Sequence, residues 1–247
     1  MQYLYRPGNN KSQLYELTMS LRILIVTATV PEAEIIRNLG GDHAHGRPLI
    51  FGNYKIDVLV TGVGAMATSW SLHQWISSKG KPHLAINAGI AGSYRDDINK
   101  GDVVMPVTDC FADAGIEDGK KFLTLHEAGL TSKDDFPFRQ GLLHADDTYR
   151  ELLKSSIRPV NAITVNTATG SDITMGKLVD KYYPDIETME GATFFYICLM
   201  ENIPFLALRA VSNKVETRNR KNWDIKLALD NLSEKFKEVI INFDLSI

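Results

Sequence analysis

GATFFYICLMENIPFLALRAVSN, residues 191–213, is the stretch that sets the fold. Its first half is apolar on nearly every side of a helical wheel, which predicts a helix buried all round. PFLALRAVSN (204–213) is a short continuous apolar run, the pattern of a strand covered on both faces. A buried helix leading into a doubly buried strand is a unit of an α/β sheet.

The same alternation extends outward in both directions. LRILIVTAT (21–29), YKIDVLVTGVG (54–64), PHLAINAGIAG (82–92), DVVMPVTDCFAD (102–113) and VNAITVNTATG (160–170) read as further strands. VPEAEIIRNL follows the first strand with proline near the first turn and two early glutamates, a helix start. AMATSWSLHQWISS and SDITMGKLVDKYY read as helices, the latter capped by Ser171 or Asp172. NWDIKLALDNLSEKFKEVIINF closes the chain as an amphipathic helix with Ile225, Leu229, Leu232, Phe236, Val239 and Ile240 on its apolar side. Residues 113–140 read as a long loop with small elements. These readings predict a three-layer α/β/α sandwich with a central mixed, largely parallel sheet. One domain spans residues 21–247, and residues 1–20 form a loose polar extension without the apolar stretch of a secretory signal.

Composition narrows the function. The chain has 247 residues and 44% hydrophobic content, enough for one sizeable core. With 27 basic and 30 acidic residues the net charge is -3, which gives no sign of a nucleic-acid or membrane partner. The apolar run at 192–200 is far short of the ~20 residues that span a bilayer. Cys110 and Cys198 cannot build a disulfide framework, so buried free thiols in a reducing cytoplasm are expected. No metal-ligand spacing surrounds either cysteine, and the six histidines form no HExxH pattern.

Ligands in such sheets bind beyond the carboxyl ends of the strands. That edge collects Thr27 to Glu34, TGVG (61–64), NAGIAG (87–92), ETMEG (187–191) and Ser212-Asn213. The glycines, Gly89 among them, permit close backbone approach to a ligand or serve as turns. They form no Walker loop, and GVGAMA matches only half of a dinucleotide fingerprint. Glu190 precedes a wholly apolar helix, where the helix N-terminus favours a carboxylate and a ligand hydroxyl could use it. Glu32 and Glu34 both open a helix, and only one of them can face the sheet end.

ITVNTATGSDITM, ETMEGATF and IPFLALRAVSN together resemble the nucleoside phosphorylase and nucleosidase superfamily, from about Leu21 to the C-terminus. The likeness implies a nucleoside substrate, a homodimer or higher homo-oligomer, and no metal or organic cofactor. Phosphorylases of this kind carry phosphate-binding arginines in the first loop and near the glycine-rich turn. Here Glu32 stands in that loop and NAGIAG has no arginine, which resembles the hydrolytic nucleosidases. The adenosine-cleaving members end the last strand in Ser-Asp, whereas this chain has Ser212-Asn213. An asparagine amide donates to a six-oxo group while accepting from a ring N–H, which suits hypoxanthine or guanine. The continuation SNKVETRNRKNWDI is similar to the futalosine hydrolase family, the nucleosidases of the alternative menaquinone route, although Asn219 stands where aspartate is common.

On that resemblance Glu32 is the general base and Asn213 steadies the departing base. Glu190 holds the ribose 2′-hydroxyl and Met189 lies against the sugar. Arg218 pairs with a substrate carboxylate, while Lys214 and Arg220 are ordinary loop charges. Trp223 covers the substrate tail or anchors the last helix. Arg209 braces the site, and residues 167–173 border the base. The alternatives are a methylthioadenosine/adenosylhomocysteine nucleosidase, a purine phosphorylase, and a non-catalytic nucleoside-binding protein.

Overall fold

In the computed structural model, residues 21–40, 48–119, 121–145 and 156–242 are described. The polar extension expected at 1–20 lies outside them. Strand β1 (Leu21–Thr27) leads into helix α1 (Val30–Arg37), whose start carries Thr29 as N-cap, Pro31 in the first turn and Glu32 at the third position. Strands β2 (Leu49–Phe51) and β3 (Tyr54–Val60) precede helix α2 (Ala65–Lys79). Then come β4 (Leu84–Ser93), β5 (Val103–Asp109), a hairpin of β6 (Gly115–Asp118) and β7 (Lys121–Thr124), and β8 (Leu143–His144). Strand β9 (Arg158–Thr164), helix α3 (Asp172–Tyr182), strand β10 (Ile186–Thr188), helix α4 (Gly191–Met200), strand β11 (Phe205–Lys214) and helix α5 (Ile225–Asn242) complete the order. Ser171, not Asp172, caps α3: its side chain accepts from the Thr174 N–H.

The nine strands of the main sheet run β10-β9-β5-β11-β4-β1-β3-β2, with β8 beside β5. Pairing is parallel around β1, where β3 and β4 flank it, and between β4 and β11. It is antiparallel where β11 meets β5 and where β10 meets β4, so the sheet is mixed. Ile23 and Ile25 of β1 pack with Ile36 of α1 and with Leu232 and Phe236 of α5. Their neighbours Leu24 and Val26 pack with Leu72 of α2 and with Phe194 and Phe195 of α4. Side chains alternate across a strand, so one helix pair covers each face. On the α4 side, Phe194, Phe195 and Phe205 meet edge to face.

Strand β4 changes partner along its length. Residues Leu84–Asn87 pair with β1, whereas Gly92 and Ser93 pair with Glu187 and Ile186 of β10. Because β10 also pairs with β9, strands β10, β9, β5, β11 and β4 close into a ring. The mixed sheet expected from the sequence therefore curls at the end where the glycines lie. Helix α5 also departs slightly from expectation. Ala228 is fully buried in its place on the core face, while Ile225 is 38% exposed. Among its described residues, the region 113–140 contains the β6–β7 hairpin, turns and an isolated bridge from Arg139 to Leu142, in line with a long loop with small elements.

Candidate active site

Glu32 is buried and Glu34 exposed, so the first of the two faces the sheet end. One carboxylate oxygen of Glu32, Oε2, accepts from Ala28 N at 3.1 Å, Thr29 N at 2.8 Å and Thr29 Oγ1 at 2.8 Å. The other, Oε1, accepts among the described residues only from Ile90 N at 3.1 Å. The helix-start signal in TVPEAE thus has a second use. The capping glutamate ties α1 to the Gly89-Ile90 peptide of β4 and leaves one oxygen with free capacity. Gly89 is where the chains come closest: a Cβ there would lie 2.8 Å from Glu32 Oε1 and 3.3 Å from an Arg209 guanidinium nitrogen.

Glu190 is buried and accepts from Gly64 N at 2.9 Å through Oε1. Its side chain makes no capping hydrogen bond to its own helix. The first N–H groups of α4 go elsewhere: Gly191 donates to Thr188 Oγ1 at 3.1 Å and Ala192 to Thr164 Oγ1 at 2.7 Å. This frees Glu190 to reach across to the glycine turn after β3. Burial raises its carboxyl above the ordinary range, and Arg209 partly offsets that.

Arg209 lies beneath both glutamates and is almost wholly buried. It donates to Asn87 O at 3.3 Å and Leu208 O at 3.4 Å, and makes a short bond to Asn87 Oδ1. Burial works against its charge, while Glu190, Glu32 and Asp109 support it. These bonds tie β11 to Asn87 of β4. Asp109 was missed at that stage. It ends β5 fully buried, accepts from Thr164 Oγ1 at 3.0 Å and Cys110 N at 2.8 Å, and leaves Oδ2 unpartnered against Gly191. Burial pushes its carboxyl up to about 7. The available signal was an acid closing an otherwise apolar run.

A second group forms around Gly92. Asn213 of β11 and Glu187 of β10 both pair with Gly92 in register, one from each side. The Asn213 amide accepts from Ser212 Oγ at 2.8 Å and donates to Lys214 O at 2.8 Å. One N–H and one lone pair remain, enough for the pairing expected of it. Glu187 is buried and accepts from Tyr94 Oη at 2.6 Å and Thr169 N at 2.9 Å.

Lys214, read as a loop charge, is the last residue of β11 and is not a solvated charge. Its ammonium donates to the carbonyls of Arg95 and Ile98 and so pins a distant loop. Arg218 is exposed, and its backbone N–H donates to Gly170 O at 3.4 Å, which docks the loop on residues 169–171. Arg220 is exposed too. Trp223 is half-buried, and Asp224 beside it donates through its N–H to Ser212 O at 2.8 Å and starts α5. Met189 is half-buried between Glu187 and Glu190. Among the described residues no cluster of His, Cys, Asp and Glu could hold a metal ion, and no helix is long and apolar enough to cross a membrane. Both cysteines are free and buried.

The family model for the Phosphorylase superfamily matches residues 22–243. The chain belongs to the phosphorylase superfamily. Within it, this sequence is 30% identical over 232 residues to a futalosine hydrolase of Acidothermus cellulolyticus, covering 88% of this chain and 90% of that one. The fold is similar to that of futalosine hydrolase from Helicobacter pylori strain 26695, with a TM-score of 0.77 at 16% identity over 91% of this chain and 99% of that one. It is nearly as similar to the Helicobacter pylori 5′-methylthioadenosine/S-adenosylhomocysteine nucleosidase, at a TM-score of 0.76, 16% identity and the same coverage. At such identity the likeness of these two structures to the present superfamily member concerns the fold.

Proposed function

We propose that this chain is a futalosine hydrolase, cleaving the N-glycosidic bond of a hypoxanthine nucleoside with water as nucleophile. The observation that carries this reading is the strand end. Asn213 presents one free amide N–H and one free lone pair where an adenosine-type enzyme needs an acid. The curated relative of 30% identity supports the same substrate. In fold terms the reading takes the chain as an α/β/α sandwich of nucleosidase type, acting as a homodimer or higher homo-oligomer in the cytoplasm.

Glu32 Oε1 takes a proton from water, which attacks C1′ of the ribose. The bond from C1′ to the base nitrogen breaks, its electron pair leaves with the hypoxanthine, and the base takes a proton from solvent at the ring while Asn213 hydrogen-bonds it. General-base action is worth ~100–10,000-fold. Glu190 holds the 2′-hydroxyl and strengthens that bond as the sugar becomes cation-like. Met189 lies against the sugar, Ser212 orients Asn213, and Gly89 gives the sheet edge room for the water. Arg218 pairs with the substrate carboxylate, with Trp223 beside the tail. No metal or organic cofactor enters these steps.

The test is base release from futalosine, inosine and methylthioadenosine, each with and without phosphate. Phosphate-independent release of hypoxanthine from futalosine is expected. Adenine release from methylthioadenosine would favour the adenosine-type reading instead, and intact nucleoside in every case would favour a binding protein.

A further inference from the structure

Glu187 is the one residue of the Gly92 group to which the mechanism gives no task. It is a buried carboxylate, and among the described residues no cation pairs with it. Buried charges are usually paired or bound to donors, because desolvation is costly. Glu187 is met only by donors, the Tyr94 hydroxyl and the Thr169 N–H, one on each oxygen. A carboxylate offers about four acceptor sites, so two remain. Burial and the facing carboxylate hold the Tyr94 phenol well above its ordinary range, which keeps it a donor.

Position adds the second half of the argument. Glu187 and Asn213 flank Gly92 from neighbouring strands. Asn213 Nδ2 lies 3.3 Å, and Glu187 Cγ 3.5 Å, from the point a Gly92 Cβ would occupy. A 6-oxopurine presents the ring nitrogen N7, the carbonyl O6 and the N1–H side by side along one edge. Asn213 can serve N7 and O6, and the N1–H then needs an acceptor next to it. Adenine has a bare lone pair at N1, which a carboxylate repels. Thr169, held by Glu187, also sits in the loop expected to border the base.

We propose that Glu187 is a specificity-determining residue that accepts the N1–H of the 6-oxopurine whose O6 and N7 are held by Asn213. This rests on the reading of the substrate as a hypoxanthine nucleoside. It makes base choice the joint work of two strands, with the amide reading one part of the edge and the carboxylate the next. Sites built around specific hydrogen bonds reject the analogue that lacks the partner strongly.

The experiment measures binding of hypoxanthine and 1-methylhypoxanthine to the wild-type protein, Glu187→Gln and Tyr94→Phe, with futalosine turnover by the wild type as reference. The wild type is expected to bind hypoxanthine at least about tenfold tighter than its 1-methyl form. Glu187→Gln keeps an acceptor oxygen but loses its charge, so it should weaken hypoxanthine about tenfold and leave 1-methylhypoxanthine unchanged, which narrows the gap between the two. A merely structural role would weaken both alike, and that result, or no change in either, overturns the assignment. Should Glu187→Gln fail to fold, Tyr94→Phe decides. That variant frees the carboxylate to turn, and a several-fold fall in the ratio is expected, while an unchanged ratio overturns the assignment. A wild type that turns over futalosine with its ratio insensitive to both variants sinks the Glu187 assignment alone. A wild type that releases no hypoxanthine and binds neither base sinks the substrate reading and this assignment with it.

Discussion

A single methyl group at Gly89 tests the placement of the base. Gly89→Ala needs no unusual backbone, because Gly89 is not among the positive-φ glycines. Its Cβ would lie 2.8 Å from Glu32 Oε1, where ordinary contact begins at 3.4 Å. The oxygen must therefore retreat by roughly 0.6 Å, and it is the oxygen with capacity left for water. The carboxylate has little freedom to comply, since Oε2 is held by three donors. The bond from Ile90 N at 3.1 Å is the one that stretches. Misplacing a reacting group by ~1 Å can cost ~100-fold, so kcat should fall by about that factor while KM changes little. Crowding of this kind costs ~1–3 kcal/mol of stability, a drop of several degrees in Tm that leaves the chain folded. The assay is hypoxanthine release from futalosine under saturation, with thermal unfolding in parallel. A kcat within about threefold of wild type would refute the placement. So would a double variant with Glu32→Gln that is slower than Glu32→Gln alone by the full Gly89→Ala factor, since residues acting through one group do not add.

Glu32→Gln by itself should keep substrate binding and lose ~100–10,000-fold in turnover, and near-normal turnover would remove Glu32 from the base role. Asn213→Asp should move preference toward adenine nucleosides, read as the ratio of adenine release from methylthioadenosine to hypoxanthine release from futalosine. An unchanged ratio would count against the reading of the strand end. Arg218→Gln should raise KM for futalosine about tenfold or more while leaving inosine, which lacks the tail carboxylate, unaffected; equal effects on both would point to the docked loop instead. Asp109 has a folded carboxyl at about 7 against an ordinary 3.8. Between those values the folded state keeps a proton that the unfolded chain has lost, so this group's contribution to stability falls as pH rises through the window. The full gap corresponds to at most roughly 4 kcal/mol. Urea midpoints at pH 5 and pH 8 should show the wild type losing ground to Asp109→Asn, and parallel pH dependence in the two would refute the assignment.

What the sequence shows and hides follows from the range of each signal. Strands β1, β4 and β11 have runs of seven to ten residues, long enough for burial on both faces to appear as continuous apolarity. Strands β2 and β10 have three residues each and β8 two, too few to carry any period. The pairing of β10 with β4, which curls the sheet, depends on segments about ninety residues apart. In α5 an amphipathic pattern identified the helix, but Ala228 is too small to weigh in such a pattern and Ile225 lies too near the helix start to be covered. At the site, Glu32, Glu190 and Asn213 stand inside local motifs and were legible there. Lys214 was not, because a turn cation looks the same whether water or the distant carbonyls of Arg95 and Ile98 receive it. Glu187 and Asp109 were hidden for a related reason. A carboxylate's meaning lies in its partners, and the distant ones here are Tyr94 just after β4, Thr164 of β9 and Thr169.

The same partners bear on why this superfamily member suits water. Glu32 and Glu190 take their hydrogen bonds from backbone N–H groups and one hydroxyl, not from lysines or arginines. Such donors fix a carboxylate without cancelling its charge. The buried cation near them, Arg209, donates from its two terminal nitrogens to Asn87 and Leu208, and its Nε–H has no partner among the described residues. Being almost wholly buried, it supplies counter-charge to the cluster without presenting a fork to an incoming anion. Three carboxylates around one guanidinium leave the sheet end electronegative even with Asp109 protonated. Such a field supports positive charge developing on a ribose and opposes the approach of phosphate. On the proposed reading, the choice of water over phosphate would then rest on the burial of Arg209 as much as on which residue stands at position 32.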